Sequence, residues 1–294
     1  MAVTPLLLVL VIAAVVATVT AVLRRTPSYS ERPVRVVHAH AGRTSVAAAI
    51  AAVVVGLLAA VASPLGIDPG AIGVRGIVII CAAACAHLFA RLVGELTWPR
   101  PEGEVRRARL ERRGLLDAAP RWLVRTTTVA LAATTLTIAA GAMMADPDGR
   151  SYSYQVDEFT TRWRMTVADP FPGLVYGIPA AVGLLTVVLL ALVALRVIAD
   201  RPATSTADDS VEDGLLRASA HRVLRTTAVT CLVVTGGLLW TGGQAMTSAV
   251  ADAGDTPVLG VVVMVLGGAV LSAAAVVLCV PADARPRTAR ASAL

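Results

Sequence analysis

Residues Gly114–Val129 read GLLDAAPRWLVRTTTV, and one hundred positions later Gly214–Val229 read GLLRASAHRVLRTTAV. Each copy is a polar lead-in that ends in Arg-Thr-Thr and opens a long apolar run, Leu123–Met144 after the first and Thr226–Val250 after the second. An arginine beside hydrocarbon reaches back to lipid phosphates. A threonine beside it caps the free amides of a first helical turn. The repeated stretch therefore marks where a polar chain turns into a membrane-crossing helix. A weaker echo, Arg43-Thr44-Ser45, stands before the apolar run Ser45–Ser63.

Four more runs follow outward from these: Val3–Leu23, Gly76–Leu96, Leu174–Ile198 and Val258–Val280. Each is about 20 residues long, enough to cross a hydrocarbon core. Of the 294 residues 56% are hydrophobic and 16% charged, against about 25% charged in soluble domains. A soluble fold of this size has too little interior for so much apolar sequence. The expected fold is an all-α integral membrane protein with seven transmembrane helices, one membrane domain over residues 1–294.

All 26 basic residues are arginine. Those within 24–43, 91–125, 196–225 and 281–294 number 22, and the loops on the other side hold the remaining four, Arg75, Arg150, Arg162 and Arg164. Basic loops stay in the cytoplasm, so the N-terminus is expected outside and the C-terminus inside. The first run has no positive charge before it, and Arg24 and Arg25 follow it. That polarity fits a retained helix rather than a cleaved signal peptide. The net charge of +6 is thus an orienting charge, and no nucleic-acid partner is expected. Matching Gly-Leu-Leu and Ala offsets in the two copies point to parallel helical-hairpin repeats, the third and fourth segments corresponding to the fifth and sixth.

Between the third and fourth segments lies a basic cytoplasmic loop, residues 99–122. Acid and base alternate from Glu102 to Arg113, with Val105, Leu110 and Leu115 spaced by five. A short helix near the headgroups is expected, with Arg106, Arg107, Arg109, Arg112 and Arg113 facing anionic inner-leaflet lipid. The same arginines are candidates for docking a cytoplasmic protein partner. Just before them, Leu96-Thr97-Trp98-Pro99-Arg100-Pro101 with Gly103 resembles a motif of uncharacterised multi-pass integral membrane proteins of high-GC Gram-positive bacteria. The resemblance covers residues 91–127 and the helix layout, and it carries no activity.

The outward loop, 145–173, collects the aromatic residues. Tyr152, Tyr154 and Val156 alternate, as do Phe159, Thr161, Trp163, Met165 and Val167. Period two predicts a small extracellular β-hairpin turning near Asp157-Glu158. Tyr152, Tyr154, Phe159 and Trp163 form either a ligand or partner face or a lid resting on the helix ends. Asp146-Pro-Asp148-Gly opens like a calcium loop but lacks the later ligands. Residues 281–294 read as a flexible cytoplasmic tail.

Ionisable groups inside a bilayer mark function, and here they are few. His87, Arg91 and Glu95 share one helix face at four-residue spacing. Gln244, with the paired glycines Gly236-Gly237 and Gly242-Gly243, lies on the sixth segment, and Thr134 and Thr135 lie on the fourth. His87, Thr134, Thr135 and Gln244 are the candidate intramembrane polar residues, and a cavity between the fourth and sixth segments is the place they would line. His38-x-His40 has no supporting ligands. Cys81, Cys85, Cys231 and Cys279 sit in apolar runs without a Cys-x-x-Cys and read as packing residues. With no phosphate loop, nucleophile motif or zinc motif, no enzymatic activity, metal or cofactor is expected. An accessory or sensory membrane protein fits best. The alternative is a permease-like component working with a separate partner such as an ATPase.

Overall fold

The computed structural model of the chain describes residues 32–62, 69–99, 114–156, 164–201 and 209–282. They form six helices and one hairpin: α1 (Arg32–Ala62), α2 (Pro69–Leu96), α3 (Arg121–Met144), β1 (Tyr152–Val156), β2 (Arg164–Ala168), α4 (Leu174–Ala199), α5 (Asp209–Asp252) and α6 (Val258–Cys279). All six helices are long and apolar enough to cross a membrane. Inside hydrocarbon no water satisfies an amide, so an apolar run closes its hydrogen bonds internally as a helix. On α3, Val129, Leu136 and Met143 recur every seven residues and are 68%, 70% and 85% exposed. Such a stripe is disfavoured in water and at home against lipid tails. The chain is an integral membrane protein. The first apolar run, Val3–Leu23, lies outside the described residues.

The helices close around α5. It packs against α6, α3, α4 and α2, while α1 covers α2, and α2 also lies on α4. The main core joins Leu88 of α2, Leu123 of α3, Val187, Ala194 and Ile198 of α4, and Val223 and Ala228 of α5. Cys81 and Cys231 are buried in a second cluster with Tyr176 and Leu184. All four cysteines are unbridged, and Cys279 is exposed, so the packing role holds for Cys81 and Cys231 but not for Cys279.

Small residues set the closest approach, between α5 and α6. A Cβ on Gly236 would meet Gly267 O at 3.0 Å, one on Gly260 would meet Gly243 O at 2.9 Å, and one on Gly267 would meet Gly236 O at 2.9 Å. Gly236 with Gly243 and Gly260 with Gly267 are spaced seven apart, two turns of helix. The two antiparallel helices therefore run backbone against backbone. In a membrane, where apolar burial gives helices little reason to associate, such contact is a main source of cohesion.

The two copies of the repeat fold differently at one residue. In the first, Pro120 stops a helix from extending backwards, and Gly114–Ala119 form turns, with the Asp117 carboxylate accepting the Gly114 N–H at 2.6 Å. The proline φ of −63° then leads into α3 at Arg121. In the second, Ala220 replaces the proline and the helix runs on, so α5 has 44 residues. That is about 66 Å at 1.5 Å per residue. α3 and α5 lie side by side, but their partners are not equivalent: α4 packs on α5, whereas α2 is taken up by α1 and α4 and makes no more than marginal contact with α3. The expected correspondence of the α2–α3 and α4–α5 hairpins therefore does not extend to their packing among the described residues.

Candidate functional site

Two polar assemblies stand at opposite ends of the bundle. The first gathers at the C-terminal end of α2, the N-terminal half of α1, and the lead-in to α5. Arg201, just past α4, has a side chain 1% exposed. Its Nη1 meets Glu95 Oε2 at 3.2 Å and its Nη2 meets Glu212 Oε1 at 3.4 Å. The guanidinium lies 3.8 Å above the Trp98 ring, a cation–π contact strengthened by exclusion of water. Trp98 in turn meets His40 edge-on at 5.5 Å, and His40 Nε2 lies 2.9 Å from Gly94 O. Burying a charge is costly unless it is paired and bonded, and one arginine here answers two carboxylates.

Arg91 and Glu95 share a face of α2 but take different partners. Arg91 Nη1 donates to Ser45 Oγ at 2.9 Å, and Ser45 Oγ donates to Ala41 O at 2.6 Å. Arg225 Nη1 donates to Val280 O at 2.9 Å, capping the end of α6. Trp122 of α3 meets His221 of α5 edge-on at 5.8 Å, which joins the two copies of the repeat. His38 and His40, which precede the apolar run Ser45–Ser63, lie on α1, because a helix follows backbone propensity past the point where its apolar run begins.

The second assembly is the hairpin, anchored to the far end of α5. β1 and β2 pair antiparallel from Tyr152↔Ala168 to Val156↔Arg164. Tyr152 packs on Phe171 with ring centroids 5.2 Å apart. Ala168, Phe171, Ala245, Met246 and Ala249 form the cluster beneath, with Tyr152 and Tyr154 against it. Thr166 Oγ1 donates to Ala249 O at 2.6 Å, and the Tyr154 hydroxyl donates to Asp255 Oδ2 at 3.0 Å. The tyrosine face thus lies against the helix ends as a lid, while Met165 and Val167 on the other face are exposed.

The hairpin's base is a tight turn. Asp148 Oδ1 accepts the N–H groups of Arg150 and Ser151, both at 3.0 Å, and Asp146 accepts from the hydroxyls of Ser151 and Ser153. Gly149 has φ +68°, a conformation that glycine adopts without strain. The Arg150 and Ser151 amides hold the Asp148 carboxyl below its usual range. The aspartates' oxygens are thus used within the loop, and no cluster of metal-ligating side chains occurs among the described residues.

Of the intramembrane candidates, Thr134 and Thr135 part company. Thr134 is buried: its Oγ1 lies 2.7 Å from Thr235 Oγ1, with Ala130 O at 2.7 Å. Thr135 is exposed and bonds only its own helix, at Leu131 O. Gln244, expected to face inward, is exposed, because Gly243 claims the seam against α6. His87 is half-buried against the Ala48 backbone. On the line between α3 and α5, where a cavity is expected, Thr134 and Thr235 meet directly. Phe159, Trp163, Arg106, Arg107, Arg109, Arg112 and Arg113 lie outside the described residues, as does the tail from residue 283.

Arg201 and Glu212 went unread in the sequence because both lie beyond apolar runs, where hydropathy says nothing. Their only trace is that no proline stands between Asp209 and Asp252, so the helix carries its polar start back beside α2. No protein-family model, curated protein or solved structure matches the chain.

Proposed function

We propose that this chain is a non-enzymatic accessory or sensory component of the cell membrane, joining an outward hairpin to an inward docking surface. It crosses seven times, Val3–Leu23 supplying the first crossing, with the N-terminus outside and the C-terminus cytoplasmic. The arginine asymmetry supports that orientation, and it puts the Arg201 assembly on the cytoplasmic side and the hairpin outside.

The observation that carries the reading is α5. One uninterrupted helix holds Glu212 of the buried ion cluster near one end and the hairpin contacts Ala249 and Asp255 at and just beyond the other. A load on the hairpin is thereby coupled to the cytoplasmic cluster through a single rigid element. The permease alternative needs a polar path between α3 and α5, and the bonded Thr134–Thr235 pair weighs against it. The basic loop 99–122, with Arg106, Arg107, Arg109, Arg112 and Arg113, meets anionic inner-leaflet lipid and a cytoplasmic protein.

A photo-crosslinking residue at Arg109 in living cells tests the docking role. Capture of a kinase or transcriptional regulator supports the reading. Capture of an ATPase moves it to transport, and crosslinks to lipid alone remove the partner. A reporter fused after Leu294 is active only in the cytoplasm if the threading is right.

A further inference from the structure

Gln244 faces outward from α5 at a depth where its surroundings are apolar. Gly243, the residue before it, packs on Gly260 and Met264 of α6. Gln244 therefore stands level with Val261, Val262 and Val265, all exposed. That level is about 6 Å inside the start of α6 at Val258. The outward stripes of α3 and α6 carry valine, leucine and methionine, and this one carries a carboxamide.

The packing of α5 explains why no neighbour in the bundle reaches it. Gly236 and Gly243 face α6, Thr235 faces Thr134 of α3, and Ala245, Met246 and Ala249 lie under the hairpin. With 3.6 residues per turn, Gln244 and Ser248 share the side left over. Both are exposed, and neither side chain has a hydrogen-bond partner among the described residues. An unpartnered amide in hydrocarbon is strongly disfavoured.

The chemistry of the group says what covers it. A carboxamide has two N–H donors at its positive end and an acceptor oxygen at its negative end. Its charges complement those of a second carboxamide turned end for end. Across a two-fold axis along the bundle, two Gln244 side chains meet at the same depth and exchange two N–H···O bonds. Such a closed pair of identical patches is the commonest form of homo-oligomer. The small Ser248 and Ala251, exposed on the same side, let two α5 backbones approach, as small and polar residues do where helices meet in membranes.

We propose that this side of α5 is the contact between two copies of the chain, closed by reciprocal Gln244–Gln244 hydrogen bonds in the half of the membrane nearer the hairpin. It does not depend on what the hairpin or the basic loop recognises.

Disulfide trapping of the full-length chain in native membranes tests it. Cys279→Ala removes the exposed thiol, and Ser248→Cys places one beside Gln244. Oxidation with copper phenanthroline should then give a band of twice the chain's mass. Leu136→Cys in the same background, on the exposed stripe of α3, should give none. Light scattering of the purified chain in neutral detergent should show a dimer whose dissociation constant rises about tenfold in Gln244→Leu. Gln244→Leu leaves no polar group unpaired and suits a lipid-facing site, so a monomer that still folds is expected. Gln244→Asn keeps the amide and should keep most of the association. A monomer at every concentration, a trapped band of another mass that places a different protein on this face, or an undiminished dimer in Gln244→Leu overturns the proposal.

Discussion

A single methyl group at Gly243 tests the architecture most directly. In Gly243→Ala the new Cβ lands 2.5 Å from Met264 N, 2.7 Å from Gly260 O and 2.8 Å from Met264 Cα. All three are backbone atoms of α6, so no side chain can swing aside. Comfortable carbon contacts begin near 3.5 Å, so α6 must retreat by about 1 Å along the seam. A gap of that size forfeits a quarter to a half of each dispersion contact along it. Overpacking of this kind costs about 1–3 kcal/mol, offset by up to about 1 kcal/mol of helix propensity gained over glycine. A net loss of about 1–2 kcal/mol follows.

Gly237, six residues back on the same helix, supplies the control, since a Cβ there meets nothing within 4 Å. Gly237→Ala keeps only the propensity gain, up to about 1 kcal/mol. The same chemical change should therefore have opposite signs at the two sites. At about 2 °C or more per kcal/mol for a chain of this size, the two midpoints should differ by about 5 °C in thermal unfolding of purified full-length protein. Equal midpoints, or a higher one for Gly243→Ala, would mean that α5 and α6 do not meet at this seam.

Three further outcomes follow from the same physics. Arg201→Gln leaves Glu95 and Glu212 buried without their shared cation, at about 3–5 kcal/mol; adding Glu212→Gln should recover part of this in denaturant titrations, and an additive double variant would refute the shared bridge. Thr134→Val should cost about 0.5–1.5 kcal/mol and Thr135→Val less than about 0.5 kcal/mol, read from the same unfolding curves, with the reverse order counting against the α3–α5 pairing. At the hairpin, hydrogen bonding to the Asp255 carboxylate holds the Tyr154 phenol above its ordinary value of 10.0. A raised group contributes stability that is full below the unfolded value and is lost as pH rises through the folded one. Phenolate absorbance should show one tyrosine, Tyr154, titrating earlier in Asp255→Asn, and an unchanged titration would remove the contact. The depressed Asp148 has the opposite sign, its contribution present above about pH 4 and lost as pH falls.

Apolar length made the spans legible. Leu123–Met144, Leu174–Ile198 and Val258–Val280 match α3, α4 and α6 to within two residues, because the cost of an unsatisfied amide in hydrocarbon fixes where a helix must exist. The same measure cannot say where a helix begins outside hydrocarbon. α1 starts thirteen residues before Ser45 and α5 seventeen before Thr226, and in those polar extensions lie His40 and Glu212. Alternation found both hairpin strands, since the pleat puts Tyr152 and Tyr154 on one side. Which side faces the bundle was set by Phe171 and Met246, distant in sequence. Gln244 misled because polarity alone said inward, while the glycine beside it held the contact with α6.

The length of α5 also makes it a lever. With the seam at Gly243 as pivot, Glu212 hangs 31 residues away, about 46 Å along the axis. A tilt of about 5° there moves Glu212 by about 4 Å, more than its 3.4 Å separation from Arg201. On the proposed coupling, a displacement at the hairpin too slight to disturb its own hydrogen bonds would be large enough to undo an ion pair at the opposite end.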